Sequence, residues 1–230
     1  METLIGTSGY SYPKWKGAFY PPKLPAREML EHYATRFPTV EINNTFYKMP
    51  TAKLVQSWSD EVPATFIFAI KAPQRITHQL RLKGAGEATA ELLEAIAPLK
   101  RKRGPILFQL PPFLQKDVPL LTQFLAELPK GCDAAFEFRH ASWFDDETYA
   151  ALKKGKAALC IAESEKLATP LVATASWGYL RLRREDYVKA DIREWAERIS
   201  AQKWKRAFVY FKHEDEAKGP KYASLLQSLM

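Results

Sequence analysis

Short apolar runs recur along the whole chain: "TLIGTS", "TVEINNTF", "TFIFAIKAP", "GPILFQLPP", "DAAFEFRH", "AALCIAES", "WGYLRLR" and "RAFVYFKHE". Each has the length and β-branched or aromatic content of a buried strand, and together they predict eight strands. Most of the intervening segments carry apolar residues at helical spacing. In Arg27 to Phe37 the apolar side holds Met29, Leu30, Tyr33 and Phe37. After Pro50, Thr51 is placed to cap a helix whose stripe is Leu54, Val55 and Trp58. Glu87 to Leu99, Val118 to Leu128, Asp145 to Lys154, Asp191 to Gln202 and Gly219 to Met230 predict further amphipathic helices. Strands alternating with helices describe a parallel βα array, and eight units in 230 residues point to a closed (β/α)8 barrel spanning 1–230 as a single domain. An open doubly wound sheet would carry a G-x-G-x-x-G turn after its first strand, and "GTSGYSYPKW" lacks that spacing. The segment "ESEKLATPLVATAS" has no helical period, so the connection between the sixth and seventh strands is expected to be irregular.

A strand covered on both faces should be almost wholly apolar, because removing an ionised group from water is costly unless it is paired. The exceptions therefore carry the chemistry. Glu41 and Asn43 lie on the second strand, Lys71 on the third, Gln109 on the fourth, Glu137 and Arg139 on the fifth. Glu163 ends the sixth, Arg181 and Arg183 lie on the seventh, and Lys212 with His213 end the eighth. In a parallel barrel all eight carboxyl ends converge on one mouth, so these residues are expected to become neighbours there. A structural alternative stands beside this: Glu137 and Arg139, two apart, share a face and could simply neutralise each other in a polar layer closing the barrel.

Composition narrows the choices. The formal charge of +8 suits an anionic partner, a phosphorylated metabolite or nucleic acid. Runs such as "LKRKRG" are usually solvated surface. Cys132 and Cys160 are the only cysteines, each in apolar context, and are expected to be reduced core thiols. No leader or apolar stretch of membrane-spanning length is visible, so a cytoplasmic protein with no membrane partner is expected. There is no H-E-x-x-H and no cysteine cluster, and several cations would oppose a metal at the mouth; no cofactor is predicted, and a divalent metal is not favoured. His78 could overhang the mouth, His140 could turn away from it, and His32 belongs to a helix surface. The first loop is aromatic, with Tyr10, Tyr12, Trp15, Phe19 and Tyr20; it could pack over helix ends or stack on a ligand.

The phrases "GTSGYSYPKWKGAFYP", "VEINNTFYKMP", "FAIKAPQRITH", "FQLPP", "FEFRHASW" and "YFKHEDEAKGP" run through the chain in the order found in the YecE-like family, which this sequence resembles. The resemblance implies an α/β TIM-like barrel and supplies no established reaction. Carried over by position, it marks Gly6, Ser8, Gly9, Trp15, Tyr20, Pro21, Glu41, Asn43, Thr45, Phe46, Tyr47, Lys71, Pro73, Gln109, Leu110, Pro111, Glu137, Arg139, His140, Trp143, Arg181 and Phe211. Two departures matter: where the family's seventh strand often runs on to a His-Gly pair this chain has Arg183 and Arg184, and Glu163 stands near a family aspartate.

Together these readings predict an enzyme doing acid/base chemistry on a small polar anionic substrate at the barrel mouth. Glu41 is the expected general base, with Glu137 as partner acid or orienter and Lys71 as the third catalytic group. Ser8, Tyr10, Asn43, Gln109, Arg139, Arg181 and Lys212 are the expected substrate-binding residues. A nucleic-acid binding or processing protein and a noncatalytic ligand-binding barrel are the alternatives. The sequence leaves the oligomeric state open.

Overall fold

The computed structural model describes residues 1–129, 131–164 and 167–230. All eight predicted strands form: β1 Glu2–Ser8, β2 Thr39–Ile42, β3 Ile67–Lys71, β4 Arg103–Gln109, β5 Ala134–Glu137, β6 Ala158–Glu163, β7 Trp177–Leu182 and β8 Arg206–Phe211. They are parallel, pair in sequence order, and close when β1 aligns with β8 from Glu2 opposite Arg206 to Thr7 opposite Phe211. The fold is thus the expected α/β TIM-like barrel. Its helices are α1 Met29–Ala34, α2 Ala52–Asp60, α3 Gly86–Ala95, α4 Val118–Glu127, α5 Asp146–Lys154, α6 Lys189–Ser200 and α7 Lys218–Gln227. Between β6 and β7 the described residues contain no helix. Glu165 and Lys166, inside that irregular connection, lie outside the described residues.

Helix starts follow the local chemistry. Thr51 accepts a hydrogen bond from the Leu54 amide (3.2 Å), Asp117 from Leu120 (2.9 Å) and Asp145 from Thr148 (2.9 Å), each satisfying an amide that the first turn leaves open. Two helices and one side chain differ most from expectation. α1 has no side-chain cap and is flanked by Pro25 and Pro38, so the predicted 27–37 helix is cut to six residues after a 3-10 turn at Ala26–Glu28. Phe37 is buried all the same. The predicted 87–99 helix ends at Ala95 because Pro98 forbids α-helical continuation, and the chain goes on as a 3-10 segment, Ala97–Lys102. Leu54, assigned to the α2 stripe, is 42% exposed, while Val55 and Trp58 are buried.

The core has two shells. Ile5, Val40, Phe68, Phe108, Phe136, Leu180 and Val209 point outward into the helix layer. Their neighbours Leu4, Ala69, Leu107, Ala135, Ala158, Cys160, Tyr179, Phe208 and Tyr210 fill the barrel interior. Alanines on β3, β5 and β6 face tyrosines and phenylalanine on β7 and β8, so large and small side chains interdigitate across the bore. Cys160 is fully buried in this interior and Cys132 is half-buried; both are free thiols. Gly6 is needed where it is: a Cβ there would fall 2.1 Å from the Thr39 carbonyl, in the place where the Tyr33 hydroxyl accepts from the Thr7 amide (2.8 Å) and donates to Thr39 (3.1 Å).

Candidate functional site

Side chains alternate along a strand, so the interior set fixes which polar residues can share the mouth. Counting on by twos from Ala69, Leu107, Ala135 and Tyr179 reaches Lys71, Gln109, Glu137 and Arg181. Register then levels them: Ser8 lies opposite Glu41, Gln109 opposite Glu137, and Arg181 opposite Ala162 and Tyr210. Glu41 and Glu137 therefore point into the barrel and not into the helix layer.

Arg181 is the hub. It is 1% exposed, and its guanidinium is divided between two carboxylates that are themselves buried. Nη2 and Nε donate to Glu41 Oε1 (2.9 and 3.2 Å), and Nη1 donates to Glu137 Oε2 (2.5 Å). Nη2 also donates to Ser8 Oγ (3.2 Å), which accepts from Asn43 Nδ2 (2.7 Å) and donates to Glu41 Oε1. The second Glu41 oxygen accepts from the Tyr179 hydroxyl (2.6 Å). A rigid planar donor suits this task, because it satisfies two carboxylates from fixed directions. Glu137 Oε1 faces Arg139 Nε (3.1 Å) and Arg183 Nη1 (3.5 Å). Burial alone would raise the Glu137 carboxyl, but Arg181, Arg183 and Arg139 overcome it and hold the group far below the usual carboxylate range. Burial and the Glu41 charge push the Tyr179 hydroxyl up, keeping it a donor.

Above this sealed cluster the mouth is open and cationic. Arg139 and Arg183 keep 33% and 18% of their side chains exposed and line a cavity of about 330 Å³ with Pro112, Glu137, Phe138, Ala162, Ser164, Leu167 and Thr169. Gln109 Nε2 and Arg183 Nε are buried and make no hydrogen bond of acceptable geometry. Gln109 is still close enough to Glu137 to help hold that carboxyl down. Lys71 lies half-buried at the end of β3, its Nζ 4.0 Å from the centre of the Phe46 ring. Burial, then the charges of Arg181 and Arg139, bring its ammonium down to about 7, with Glu41 and Glu137 opposing the shift. A smaller cavity of about 200 Å³ opens beside the loops after β1 and β2, lined by Gly9, Tyr10, Ser11, Tyr12, Ile42, Asn43 and Asn44.

The mouth thus gathers Ser8, Glu41, Asn43, Gln109, Glu137, Arg139 and Arg181 into one contacting set, with Lys71 beside it. Tyr10 borders the smaller cavity, and its carbonyl accepts from the Tyr20 hydroxyl (2.6 Å). Lys212 is exposed at the rim, its ammonium lowered by partial desolvation, then by Arg181 and Arg183. Glu163 does not join them. It has the opposite parity and is bound by the Tyr187 hydroxyl (2.6 Å) and Trp195 Nε1 (3.0 Å) outside the barrel. His213 also faces outward, hydrogen-bonded through Nε2 to the Arg184 carbonyl (2.6 Å). His140 turns away to cap a 3-10 turn, accepting from the Ser142 amide (3.2 Å), whereas His78 packs on Phe46 and is lowered by burial, then by Lys71 and Arg139. The first loop is packed: Trp15 and Tyr20 are 1% exposed, and Trp15 Nε1 donates to the Glu214 carbonyl (3.0 Å). Tyr179 escaped the sequence reading because a tyrosine in an apolar strand looks like core; its parity with Arg181 was the available signal. Among the described residues no group of three or more His, Cys, Asp or Glu side chains is placed to hold a metal. No helix of the described chain is long and apolar enough to cross a membrane.

Comparison with known proteins agrees with the barrel fold. The family described as "Protein of unknown function DUF72" matches residues 4–230. The UPF0759 protein YecE of Escherichia coli strain K12 is 33% identical over 141 residues, 61% of this chain and 49% of that protein. The UPF0759 protein YunF of Bacillus subtilis strain 168 is 30% identical over 140 residues, 57% of this chain and 50% of that protein. The matches therefore span about half the length of these curated relatives. A DUF72 family protein from Thermotoga maritima superposes with a TM-score of 0.88 at 24% identity, covering 100% of this chain and 99% of that one. A second, from Enterococcus faecalis, gives 0.83 at 19% identity, covering 99% and 94%. These two likenesses establish the shared fold.

Proposed function

Since the chain belongs to the DUF72 family, whose description assigns no reaction, we propose from the site itself that it is an enzyme performing acid/base chemistry on a small anionic substrate at the barrel mouth. The observation that carries this reading is the surplus of cations. Glu41 and Glu137 bring two negative charges, against which stand Arg181 between them, Arg139 and Arg183 at the open cavity and Lys212 at the rim, so two positive charges remain in excess even without Lys71. An anion entering there replaces water around charges that the protein leaves short of partners. Gln109 Nε2, a buried donor that lies near Glu137 without a hydrogen bond of acceptable geometry, has capacity left for a polar ligand at the mouth.

The proton-transfer role falls to Lys71 in preference to Glu41. Both Glu41 oxygens are engaged and the residue has no exposed surface, whereas an amine poised near 7 exchanges a proton at neutral pH. Glu41 and Glu137 then act as positioning residues that hold Arg181. Thermal unfolding in the presence of inorganic phosphate and of small mono- and dicarboxylates tests the site. A rise in Tm with at least one of these anions, abolished in Arg139→Ala, is expected; no response to any of them would overturn the reading.

A second reading, nucleic-acid binding, draws on one specific asymmetry. The loops after β1 to β4, residues 9–25, 43–51, 71–86 and 110–117, hold nine lysines and arginines against a single carboxylate. Those after β5, β7 and β8, residues 138–145, 183–188 and 212–217, hold four against six. Tyr47 (76% exposed) and Phe113 (62%) stand on the basic side, the latter under the Arg81 guanidinium. This reading requires retention of single-stranded oligonucleotides at low salt, lost steeply as salt rises. A flat salt response removes it.

A further inference from the structure

We infer that Lys71 is a nucleophile that condenses with the carbonyl carbon of a small oxo compound carrying a carboxylate or phosphate, the anionic group being held by Arg139 and Arg183. The inference rests on the reading of the mouth as a small-anion site. It replaces the proton-transfer role of Lys71 by a covalent step and adds a substrate class.

Four features of the placement support it. Lys71 ends β3 with the inward parity of Ala69, so its side chain rises into the mouth. Its backbone is fixed on both sides: its carbonyl accepts from Thr45 Oγ1 (2.7 Å), and the following amide, Ala72, donates to the Leu107 carbonyl (2.9 Å). Among the described residues no hydrogen bond or ion pair engages its Nζ; the contact it makes is with the Phe46 ring, 4.0 Å away. Finally, the carboxylates that would normally hold such an ammonium are bound elsewhere, Glu41 by Ser8, Tyr179 and Arg181, and Glu137 by Arg139, Arg181 and Arg183. A purely structural lysine would be expected to take one of these partners. An amine kept apart from them, half-buried and beside two guanidinium groups, is instead kept in reach of its neutral, nucleophilic form. Arg139 links the two halves of the site, since it lines the 330 Å³ cavity and is close enough to Lys71 to act on its charge.

In the step itself the lone pair of neutral Nζ forms a bond to the carbonyl carbon. The carbonyl oxygen takes up the two protons that nitrogen gives up and leaves as water, and a C=N double bond remains. No oxidant or reductant is consumed. Protonated on nitrogen, the imine draws electrons from the bonds to the adjacent carbon, which is the activation that an acid/base site could use.

The test is reductive trapping on the full chain. The protein is incubated with pyruvate or glyoxylate and sodium cyanoborohydride, digested, and mapped by mass spectrometry. At pH 7 Lys71 should be modified about a hundredfold faster than exposed lysines, because they are almost wholly protonated there. Its rate should climb through the region of pH 7 and level off above it, while theirs climb on toward pH 10. Arg139→Ala should slow trapping of the oxo acids about tenfold or more, the loss of one charge-assisted contact, and slow that of an uncharged aldehyde such as acetaldehyde much less, only through the loss of the Arg139 charge that helps keep the Lys71 amine neutral. Lys71→Arg, checked for an unchanged melting curve, should leave the background of surface labelling. Labelling spread evenly over surface lysines, with phosphate or carboxylates still raising Tm, overturns the nucleophile and leaves the anion site standing. Fast labelling of Lys71 that Arg139→Ala does not change, with no anion raising Tm, instead overturns the anion site.

Discussion

Arg181 and Lys71 sit on inward positions at the same end of one barrel, and their surroundings are opposite. Arg181 is 1% exposed and its guanidinium is shared among Glu41, Glu137 and Ser8. Lys71 is half-buried, faces an aromatic ring, and has its nearby carboxylates already claimed. One cation is over-partnered and the other under-partnered. The contrast separates two jobs: a sealed ionic layer that closes the barrel interior and fixes the geometry, and an exposed charge surplus that has something left to bind or donate. It also shows why charged residues in a barrel mouth cannot be ranked as catalytic from their charge, since Glu41 is the deeper and better connected of the acids and for that reason the less available.

The strongest way to break the comparison is to remove the hub. Arg181→Met leaves two buried carboxylates without their common partner and should cost about 3 to 5 kcal/mol in urea unfolding at pH 7, the range for orphaning a buried charge. Arg139→Ala, taken from a side chain one-third exposed, should cost less than about 1 kcal/mol. A comparable loss for both would mean that the layer is not sealed. The pH dependence sharpens the same point. Glu137 has a depressed folded pKa, so its contribution to stability is complete above the ordinary carboxylate value of about 4.3 and drains away as pH falls below it. In Arg181→Met its burial is no longer offset by the largest of the three opposing charges, so the onset of acid unfolding should move to higher pH. Urea midpoints collected between pH 3 and pH 7 measure that displacement. Tyr179→Phe tests the edge of the layer: one Glu41 oxygen loses its donor, for an expected loss of about 1 to 3 kcal/mol.

Much of this arrangement was legible in the sequence because it follows from parity. An eight-strand count with one irregular connection gave the barrel, and the inward residues ending β2, β3, β4, β5, β7 and β8 were identifiable as polar exceptions in apolar runs. The same rule, applied one residue more strictly, excludes Glu163: it follows Ala162, which faces the interior, so it must face out. What the sequence could not convey was partnership. Whether Glu137 pairs with Arg139, two residues away, or with Arg181 on a strand two places round the barrel depends on shear and register. Both prove true, through different oxygens. Lys71 posed the converse problem. A lysine beside two glutamates in an inferred ring reads as a salt bridge, and only the geometry shows those glutamates occupied. The helix boundaries were lost to backbone chemistry, at Pro98 and in the uncapped start of α1.

The remaining expected effect has the most distinctive sign. The unfolded chain holds the Lys71 proton up to about pH 10.4, whereas the folded protein gives it up near 7. Between those values the unfolded state binds more protons, so this group makes stability rise with pH; below 7 both states are protonated and the native protein carries the full penalty of a poorly partnered ammonium. Lys71→Met removes the penalty and keeps a chain of similar length against Phe46. The variant should therefore melt higher than the parent below pH 7, and the advantage should shrink steadily as pH is raised toward 10. Any turnover or imine trapping that depends on the amine should vanish at the same time. Thermal melts of the two proteins at unit pH intervals from 6 to 10 decide the matter. If Lys71→Met is instead destabilising at pH 6, the ammonium has a stabilising role in the fold, and the division between a sealed structural layer and a free functional cation is drawn in the wrong place.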